Sequence, residues 1–243
     1  MKKKIVVFTG AGISAESGVL TFRDVKDGLW NNYKIDEVAT PEGWTKDAAS
    51  VLKFYNERRQ QMPVVEPNAA HKSLAELEKD YDVTVVTQNV DDLHERGGST
   101  NIIHLHGELT KVRGEAFNGQ PDWLDKAIEI GYKDVSIGDM CPVSNSQLRP
   151  HIVWFGEYPF NVTEAYRAME KADVLLIVGT SLQIGYTLNL LLTVKDNCEI
   201  YYIDPNPMNY LDNYNLSVNY VKKKAVEGVN EVVIKLLKEN ILE

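Results

Sequence analysis

The sequence of 243 residues has little cysteine: only Cys141 and Cys198 occur, and they lie far apart. Two cysteines cannot form the disulfide scaffold of a small secreted protein, so a reduced, cytoplasmic setting is expected. They also cannot supply the four thiolates of a Cys₄ zinc site.

Long hydrophobic runs and an excess of positive charge are also missing. No apolar run approaches the roughly 18–20 residues of a membrane-spanning helix, so no membrane association is expected. The short apolar run after Lys2–Lys4 is broken by glycines, which favours a strand over a signal peptide. With 26 basic and 35 acidic residues, the net charge of −9 argues against nucleic-acid binding.

Short apolar runs alternate with segments of helical periodicity. The predicted strands are 5–9, 83–87, 174–178 and 199–203, and the predicted helices are 48–61, 71–79, 162–171 and 230–240. Continuous Val, Ile and Leu runs are typical of parallel strands buried on both faces. The alternation predicts an α/β fold with a Rossmann-like, doubly wound parallel sheet.

Two segments, 25–67 and 111–150, are too long for ordinary connections in such a sheet. We expect them to form a smaller second domain, in which 25–67 is the helical part. The larger domain would comprise 1–24, 68–110 and 151–243.

A loop rich in glycine follows the first strand: residues 10–18 are Gly-Ala-Gly-Ile-Ser-Ala-Glu-Ser-Gly. Such glycines let the backbone approach a pyrophosphate, and a helix opening after them would direct its amides at the negative charge. The third glycine lies further on than in the common dinucleotide fingerprint. A purely structural strand-to-helix turn is an equal alternative. Residues 21–24 and 28–30 suggest a segment that closes over a nucleotide, or else an amphipathic surface loop.

Polar side chains follow the second strand. Gln88, Asn89 and Asp91 lie at its carboxyl end, where open α/β sheets bind ligands, although a plain turn has the same composition. Further on, His104 and His106 alternate with apolar residues, so on a strand they would point to one face. His106 precedes a glycine and can take a proton near neutral pH, which makes it a candidate general base. A buried structural histidine is the alternative.

Six ordered segments resemble the signature segments of the sirtuin family. They are 10–14 (Gly-Ala-Gly-Ile-Ser), 21–24 (Thr-Phe-Arg-Asp), 87–91 (Thr-Gln-Asn-Val-Asp), 105–107 (Leu-His-Gly), 150–157 (Pro-His-Ile-Val-Trp-Phe-Gly-Glu) and 179–181 (Gly-Thr-Ser). The resemblance covers nearly the whole chain and is weakest over 111–148. It implies an NAD-dependent enzyme that removes acyl groups from lysine side chains of proteins or peptides.

The resemblance also implies which residues of the larger domain contact NAD. From the diphosphate through the nicotinamide ribose to the adenine, they are Gly10, Ala11, Gly12, Ala15, Phe22, Arg23, Gln88, Asn89, Asp91, Gly179, Thr180, Ser181, Asp204 and Ala225. NAD would be consumed as a co-substrate, with no hydride transfer.

The implied catalytic residues are His106 and Asn89. The acyl-lysine carbonyl oxygen attacks the anomeric carbon as nicotinamide leaves, and His106 then activates a ribose hydroxyl, so that the acyl group ends on ADP-ribose. The substrate would lie as an added strand beside residues 153–157. The implied substrate contacts there are Val153, Phe155, Gly156 and Glu157.

Tyr55 and Arg58 lie three positions apart in a predicted helix and share a face. A phenol beside a guanidinium can bind a carboxylate, although the spacing alone favours a solvated amphipathic helix. The pair resembles the Tyr-x-x-Arg motif of the sirtuins that accept succinyl- and malonyl-lysine. Desuccinylase and demalonylase activities beside deacetylation are therefore implied.

The chain departs from the family pattern in places. Most sirtuins hold a structural zinc with four cysteines, whereas 111–150 contains only Cys141, so we expect no zinc. An apolar cluster of Trp123, Leu124, Ile128, Ile130 and Tyr132 would replace it. Leu20 stands where proline is usual, and 182–187 lacks the usual proline-alanine helix start.

Other functions compete for the same features. A protein mono-ADP-ribosyltransferase would use the same NAD site, and a non-catalytic NAD-sensing module would bind NAD without releasing nicotinamide. The presence of both Asn89 and His106 argues against the sensor, and the glycine spacing argues against a dehydrogenase. A monomer is expected.

Overall fold

The computed structural model describes residues 2–19, 33–117, 126–183, 185–214 and 216–242. Its strands are β1 (Lys4–Thr9), β2 (Asp82–Thr87), β3 (Ile102–His104), β4 (Gly107–Gly114), β5 (Ile128–Glu129), β6 (Leu148–Ile152), β7 (Val174–Val178), β8 (Glu199–Ile203) and β9 (Val218–Val221). Its α-helices are α1 (Ile35–Val38), α2 (Pro41–Gln61), α3 (Ala69–Leu77), α4 (Leu93–Gly97), α5 (Val162–Met169), α6 (Gly185–Leu191) and α7 (Ala225–Leu242). In this described part of the chain, no helix is long and apolar enough to cross a membrane.

A six-stranded parallel sheet has the order β3-β2-β1-β7-β8-β9. The predicted doubly wound parallel sheet is therefore confirmed, and all four predicted strands are present to within one residue. Neighbouring residues of a strand face opposite sides, so Ile5 and Val7 join one apolar cluster while Val6 and Phe8 join the other. Helices α3 and α7 cover the first side, and α5 and α6 cover the second. Burying each such side chain contributes about 1.5–3 kcal/mol, which favours strands apolar on both faces.

A second, antiparallel sheet of three strands has the order β5-β4-β6. It packs with α2 around a third apolar cluster that includes Trp44, Phe54, Val112 and Trp154. This cluster joins residues of the two segments that interrupt the parallel sheet. Its sheet runs from Gly107 to Ile152, beyond the predicted limits of 111 and 150.

The partly buried residues Ile128, Ile130 and Tyr132 pack against the third cluster. The other two members of the predicted apolar group, Trp123 and Leu124, lie outside the described residues. The expected packing therefore extends a larger core and does not form a separate one among these residues.

Helix α2 begins earlier than predicted because the chain contains two starting signals. The Thr40 hydroxyl accepts a hydrogen bond from the Gly43 N–H at 3.0 Å, and Pro41 occupies the first turn. A kink follows at Asp47, whose carboxylate accepts the Ser50 N–H at 3.1 Å. The predicted start at residue 48 is thus the start of the second half of the helix.

Candidate active site

The polar segments meet at the carboxyl edge of the parallel sheet. The chain leaves β1 for β2 and β3 on one side, and β7, β8 and β9 extend the sheet on the other. The order reverses between β1 and β7, which opens a crevice beyond their carboxyl ends. The loops after β1, β2, β3, β7 and β8 therefore converge on one place.

The loops after β1 and β7 touch through their glycines. The Gly12 N–H donates to the Gly179 carbonyl oxygen at 2.8 Å, and a Cβ on Gly12 would lie 2.6 Å from the Gly179 Cα. Gly179 has a φ of 60°, which favours glycine. Because Gly12 and Gly179 have no side chains, the backbones of the two loops can pack directly against each other. The predicted helix after the glycines is wrong: two single-turn 3₁₀ helices, Ala11–Ile13 and Ala15–Ser17, follow instead.

A buried hydrogen-bond network links the glycine loop to the end of β2. The Asn89 Nδ2 donates to the Ser14 hydroxyl at 3.1 Å, and that hydroxyl donates to the Asp91 carboxylate at 3.0 Å. Asn89 and Asp91 are each only 6% exposed, and burial raises the pKa of Asp91. The structure therefore brings together two predicted residues and adds Ser14, whose role the sequence pattern did not single out.

Gln88 ties the end of β2 to the loop after β7. Its Oε1 accepts the Thr180 hydroxyl at 2.8 Å, and the Thr180 carbonyl oxygen accepts the Tyr202 hydroxyl at 2.7 Å. Two residues on, Leu182 is 4% exposed and has a φ of 54°, a conformation that is strained for a branched side chain. Ser181 lies between them, so the loop predicted to bind the adenosine half is held close to Gln88.

His106 does not share a strand with His104. Strand β3 ends at His104, and the next residues bend, so the predicted common strand face is wrong. The Nδ1 of His106 lies 2.9 Å from the Gln88 carbonyl oxygen. Because a carbonyl oxygen only accepts, Nδ1 carries the proton and Nε2 keeps its lone pair. Burial lowers the pKa of His106 to about 4, so the ring is neutral at pH 7.

The lone pair of His106 faces a residue that no pattern indicated. The Tyr186 hydroxyl at the start of α6 lies 2.6 Å from Nε2. The two rings meet edge to face, with centroids 6.0 Å apart. Only the folded chain brings these residues together.

Residues 153–157, predicted to offer an edge to a substrate strand, do not form a strand. Strand β6 ends at Ile152, and the chain turns at Gly156, whose φ is 92°. The Val153 N–H already donates to the His106 carbonyl oxygen and the Phe155 N–H to that of Ala39, both at 2.9 Å. Any added strand would have to bond to other backbone groups of this segment.

Glu157 points into the protein. Its two oxygens accept from the Arg149 guanidinium at 2.8 and 3.1 Å, and one also accepts the Trp154 N–H at 2.8 Å. Arg149 is fully buried and stacks over the Trp154 ring, 3.3 Å from its centroid. Arg113, 1% exposed, lies 3.6 Å from Glu157. The Glu157 carboxylate therefore forms a structural ion pair, and its contact with substrate stays a prediction, whereas Phe155 is 53% exposed.

Tyr55 and Arg58 lie on the inner side of α2. Tyr55 is 4% exposed, and its hydroxyl accepts the Trp154 Nε1–H at 3.0 Å, which excludes a solvated amphipathic helix at this position. Burial raises the pKa of Tyr55 to about 12, although the positive charge of Arg58 acts to lower it. Burial lowers the pKa of Arg58, and the charges of Tyr55 and Asp91 partly offset this effect by raising it. The phenol of Tyr55 and the carboxylate of Asp91 therefore both act electrostatically on Arg58.

The family is decided by comparison with known proteins. Residues 10–185 match the model of the Sir2 family. The chain belongs to the Sir2 family. It is 48% identical to the NAD-dependent protein deacylase of Bacteroides thetaiotaomicron, covering 95% of this chain and 96% of the relative. It is 47% identical to the NAD-dependent protein deacylase of Helicobacter pylori, covering 97% and 98%.

The solved structure of a Sir2 homologue in complex with NAD superimposes with a TM-score of 0.83 at 38% identity. This comparison covers 98% of this chain and 91% of that one. The fold and the crevice of this chain are therefore those of the Sir2 family.

Two further residues predicted to contact NAD lie after β8 and at the start of α7. Asp204 follows β8, is 8% exposed and accepts the Asn206 N–H at 2.8 Å. Ala225, 4% exposed, begins α7, and the Glu16 carboxylate accepts the neighbouring Val226 N–H at 2.9 Å. Phe22 and Arg23 lie outside the described residues.

The zinc of most Sir2 proteins does not fit the residues present in the β4–β6 module. Cys141 is 1% exposed, and a Cβ on Gly114 would lie 2.4 Å from the Ser144 hydroxyl and 2.9 Å from the Cys141 Cβ. Serine hydroxyls are poor zinc ligands beside a single thiolate. Hydrogen bonds close the turn, from the Cys141 N–H to the Ser146 carbonyl at 2.7 Å and from the Asn145 N–H to the Cys141 carbonyl at 2.8 Å.

Across the described ranges, the one group of three potential metal ligands is Glu95, His104 and Glu108. His104 pairs with Glu95 at 2.7 Å, and Glu108 pairs with Lys111 at 2.8 Å. Internal ion pairs therefore already compensate these carboxylates.

Proposed function

We propose that this Sir2-family chain is an NAD-dependent protein lysine deacylase that transfers the acyl group to ADP-ribose and releases nicotinamide. The observation that carries the proposal is the neutral His106, whose Nε2 lone pair lies at a crevice lined by Asn89 and Asp91. The names of the relatives from B. thetaiotaomicron and H. pylori support it, at 48% and 47% identity.

The residues fit NAD by the chemistry of their donors and acceptors. A side-chain amide and a carboxylate at the end of β2, a hydroxyl after β7 and a carboxylate after β8 occur along one sheet edge. Asn89 and Asp91 would hold the nicotinamide ribose and the carboxamide, and Asp204 the adenine ribose. When bound, NAD supplies the ADP-ribosyl group and nicotinamide as the leaving group.

His106 performs the proton transfer. The Gln88 carbonyl oxygen fixes the tautomer with the proton on Nδ1, so Nε2 can take the proton of a ribose hydroxyl. Burial keeps the ring neutral before the reaction. A general base in this position is worth about 10²–10⁴-fold in rate.

The test is incubation of the protein with NAD and an acetyl-lysine peptide, with nicotinamide and acyl-ADP-ribose followed by mass spectrometry. His106→Ala should lower turnover by about 10²–10⁴-fold while NAD binding persists. Label from NAD that stays on protein would favour the mono-ADP-ribosyltransferase. NAD binding without nicotinamide release would favour the sensor. Either result would reject the deacylase.

We also propose that Tyr55 and Arg58 select acyl chains that end in a carboxylate, such as succinyl- and malonyl-lysine. The support is that the buried Tyr55 phenol and the Arg58 guanidinium influence each other electrostatically and that Asp91 also acts on Arg58. A guanidinium binds a carboxylate in a bidentate manner, which an ammonium cannot do.

Arg58→Met is a cleaner test than a change at Tyr55. Losing the Tyr55 hydroxyl would leave the Trp154 Nε1–H without its partner and cost stability. Arg58→Met should lower kcat/KM for a succinyl-lysine peptide by about 10- to 100-fold and leave acetyl-lysine turnover within about three-fold. Lys53→Met, on the exposed side of the same helix, is the control. Equal loss on both peptides would reject the selectivity and leave the deacylase proposal intact.

We infer a cytoplasmic location and a monomer acting on acylated-lysine proteins. Both cysteines are buried and free, which suits a reducing compartment.

A further inference from the structure

Tyr186 is a residue that the Sir2 sequence pattern does not account for. It lies in 182–187, which lacks the usual proline-alanine start, and its hydroxyl lies 2.6 Å from the His106 Nε2. Burial raises the pKa of Tyr186, so the phenol keeps its proton throughout the working pH range. The hydroxyl is therefore the donor, and the lone pair of Nε2 is the acceptor.

Both polar positions of the His106 ring are thus engaged. Nδ1–H donates to the Gln88 carbonyl oxygen at 2.9 Å, and Nε2 has one lone pair, which the phenol occupies. A substrate hydroxyl cannot give its proton to Nε2 while that bond persists. Apart from the Tyr186 phenol, the described groups that influence the pKa of His106 are its buried surroundings and the Gln88 carbonyl, with no charged side chain among them.

The surroundings of Tyr186 allow it to move. Among the described residues, His106 is its only hydrogen-bond partner, and its side chain is only partly buried. The preceding Gly185 lies in open space, since an added Cβ would meet nothing within 4 Å. Leu182, at the start of the same loop, adopts a φ of 54°, so the loop is locally strained.

We propose that Tyr186 gates His106: its phenol occupies Nε2 in the substrate-free protein and is displaced by the ribose hydroxyl of bound NAD. The inference rests on the proposed role of His106 as general base. The phenol–imidazole hydrogen bond breaks with the proton remaining on the phenol. The ribose hydroxyl then donates to Nε2 and passes its proton there. Tyr186 is a positioning residue and exchanges no proton in the reaction.

The first test needs no substrate. Tyr186→Phe removes a donor that stabilises the neutral imidazole, so the pKa of His106 should rise by about half to one pH unit. NMR titration of the imidazole C–H protons measures it, with His106→Gln to assign the signal. The control is Tyr220→Phe. It removes from β9 a phenol hydroxyl that donates to the Asp212 carboxylate at 2.6 Å, and it should leave the pKa of His106 unchanged. An unchanged pKa in Tyr186→Phe would overturn the gate.

The second test is kinetic. The acid limb of kcat/KM reports the free enzyme and should move upward with the NMR value in Tyr186→Phe, with kcat equal to or above that of the wild type. A fall of kcat of more than about three-fold would place the phenol on the proton path and overturn the gate. Because the NMR arm uses no acyl peptide, failure of the deacylase proposal would not be mistaken for failure of this one.

Discussion

His104 donates a hydrogen bond from Nε2 to the Glu95 carboxylate across 2.7 Å, and its Nδ1 lies 3.2 Å from the Asn89 carbonyl oxygen. Both partners only accept, so this arrangement favours a ring that carries a proton on each nitrogen. Burial alone would lower the pKa of His104, but the hydrogen bond and charge of Glu95 outweigh it and raise the pKa. Burial lowers the pKa of His106, two residues on, so two histidines of similar sequence context have pKa values shifted in opposite directions.

We expect the His104–Glu95 pair to make stability depend on pH. Its raised folded-state pKa means that the His104 contribution is full below about pH 6.5 and is lost as the pH rises through the folded value. The pKa of Glu95 is lowered by His104 despite burial, so its contribution is lost as the pH falls below about 4.3. Because the Glu95 side chain is 40% exposed, the pair is worth about 0.5–1 kcal/mol.

Urea unfolding at several pH values between 5 and 9 measures this dependence. His104→Gln should flatten the decline of stability above neutral pH. An identical decline in the variant and the wild type would show that other groups are responsible. The exposed pair Lys79–Glu76 offers the control, because Glu76→Gln should leave the decline unchanged.

Glu157→Gln should destabilise the fold by about 3–5 kcal/mol. The change removes the carboxylate that the fully buried Arg149 and the nearly buried Arg113 share, and breaking a buried ion pair carries this cost. Urea denaturation measures the loss. Glu164→Gln, which removes an exposed partner of Arg167 at 3.9 Å, should cost less than about 0.5 kcal/mol. Similar losses in both variants would contradict the structural role of Glu157.

Gly12→Ala should separate the loops after β1 and β7. The new Cβ would lie 2.6 Å from the Gly179 Cα, and such overpacking against backbone costs about 1–3 kcal/mol. We expect a lower melting temperature and weaker NAD binding by calorimetry. Gly185→Ala, in open space, is the matched control for stability and should leave the melting temperature unchanged. Normal NAD binding by Gly12→Ala would mean that the loop contact does not shape the crevice.

Chelators should leave the protein folded, because hydrogen bonds hold the turn around Cys141. Treatment with a strong zinc chelator should shift the melting temperature by less than about 1 °C. Ser146→Ala should destabilise by about 1–2 kcal/mol, since the Ser146 hydroxyl accepts the Ala116 N–H at 3.1 Å and pairs with Ser144 at 2.8 Å. Stoichiometric zinc, together with unfolding on its removal, would refute the expectation.

The parallel sheet could be predicted because its strands are apolar on both faces, which leaves a signal in consecutive residues. Strand β9 was missed because Asn219 and Tyr220 interrupt its apolar residues at the edge of the sheet, where burial on both faces is not required. The start of α7 was placed at residue 230 instead of Ala225, because its first turn is completed by the distant Glu16.

Residues of the candidate site could be predicted only where a short stretch of sequence shows both the reactive side chain and its place at the end of a strand. Asn89, Asp91 and His106 follow strands, so their positions at the sheet edge could be inferred. The contact of Tyr186 with His106 joins positions separated by 80 residues, and no local spacing encodes it. The ion pair between Glu157 and Arg113 likewise joins distant positions of the sequence, so no local pattern predicted it.

The central position of β1 also constrains synthesis of the chain. Ile5 leaves the ribosome long before Val174, yet it pairs with Val174 as well as Val83. One edge of an apolar strand therefore stays uncovered until residues 174–178 have emerged, and such edges attract other chains. We expect nascent chains stalled before β7 to aggregate or to bind chaperones, so an N-terminal fragment will not fold without its C-terminal third.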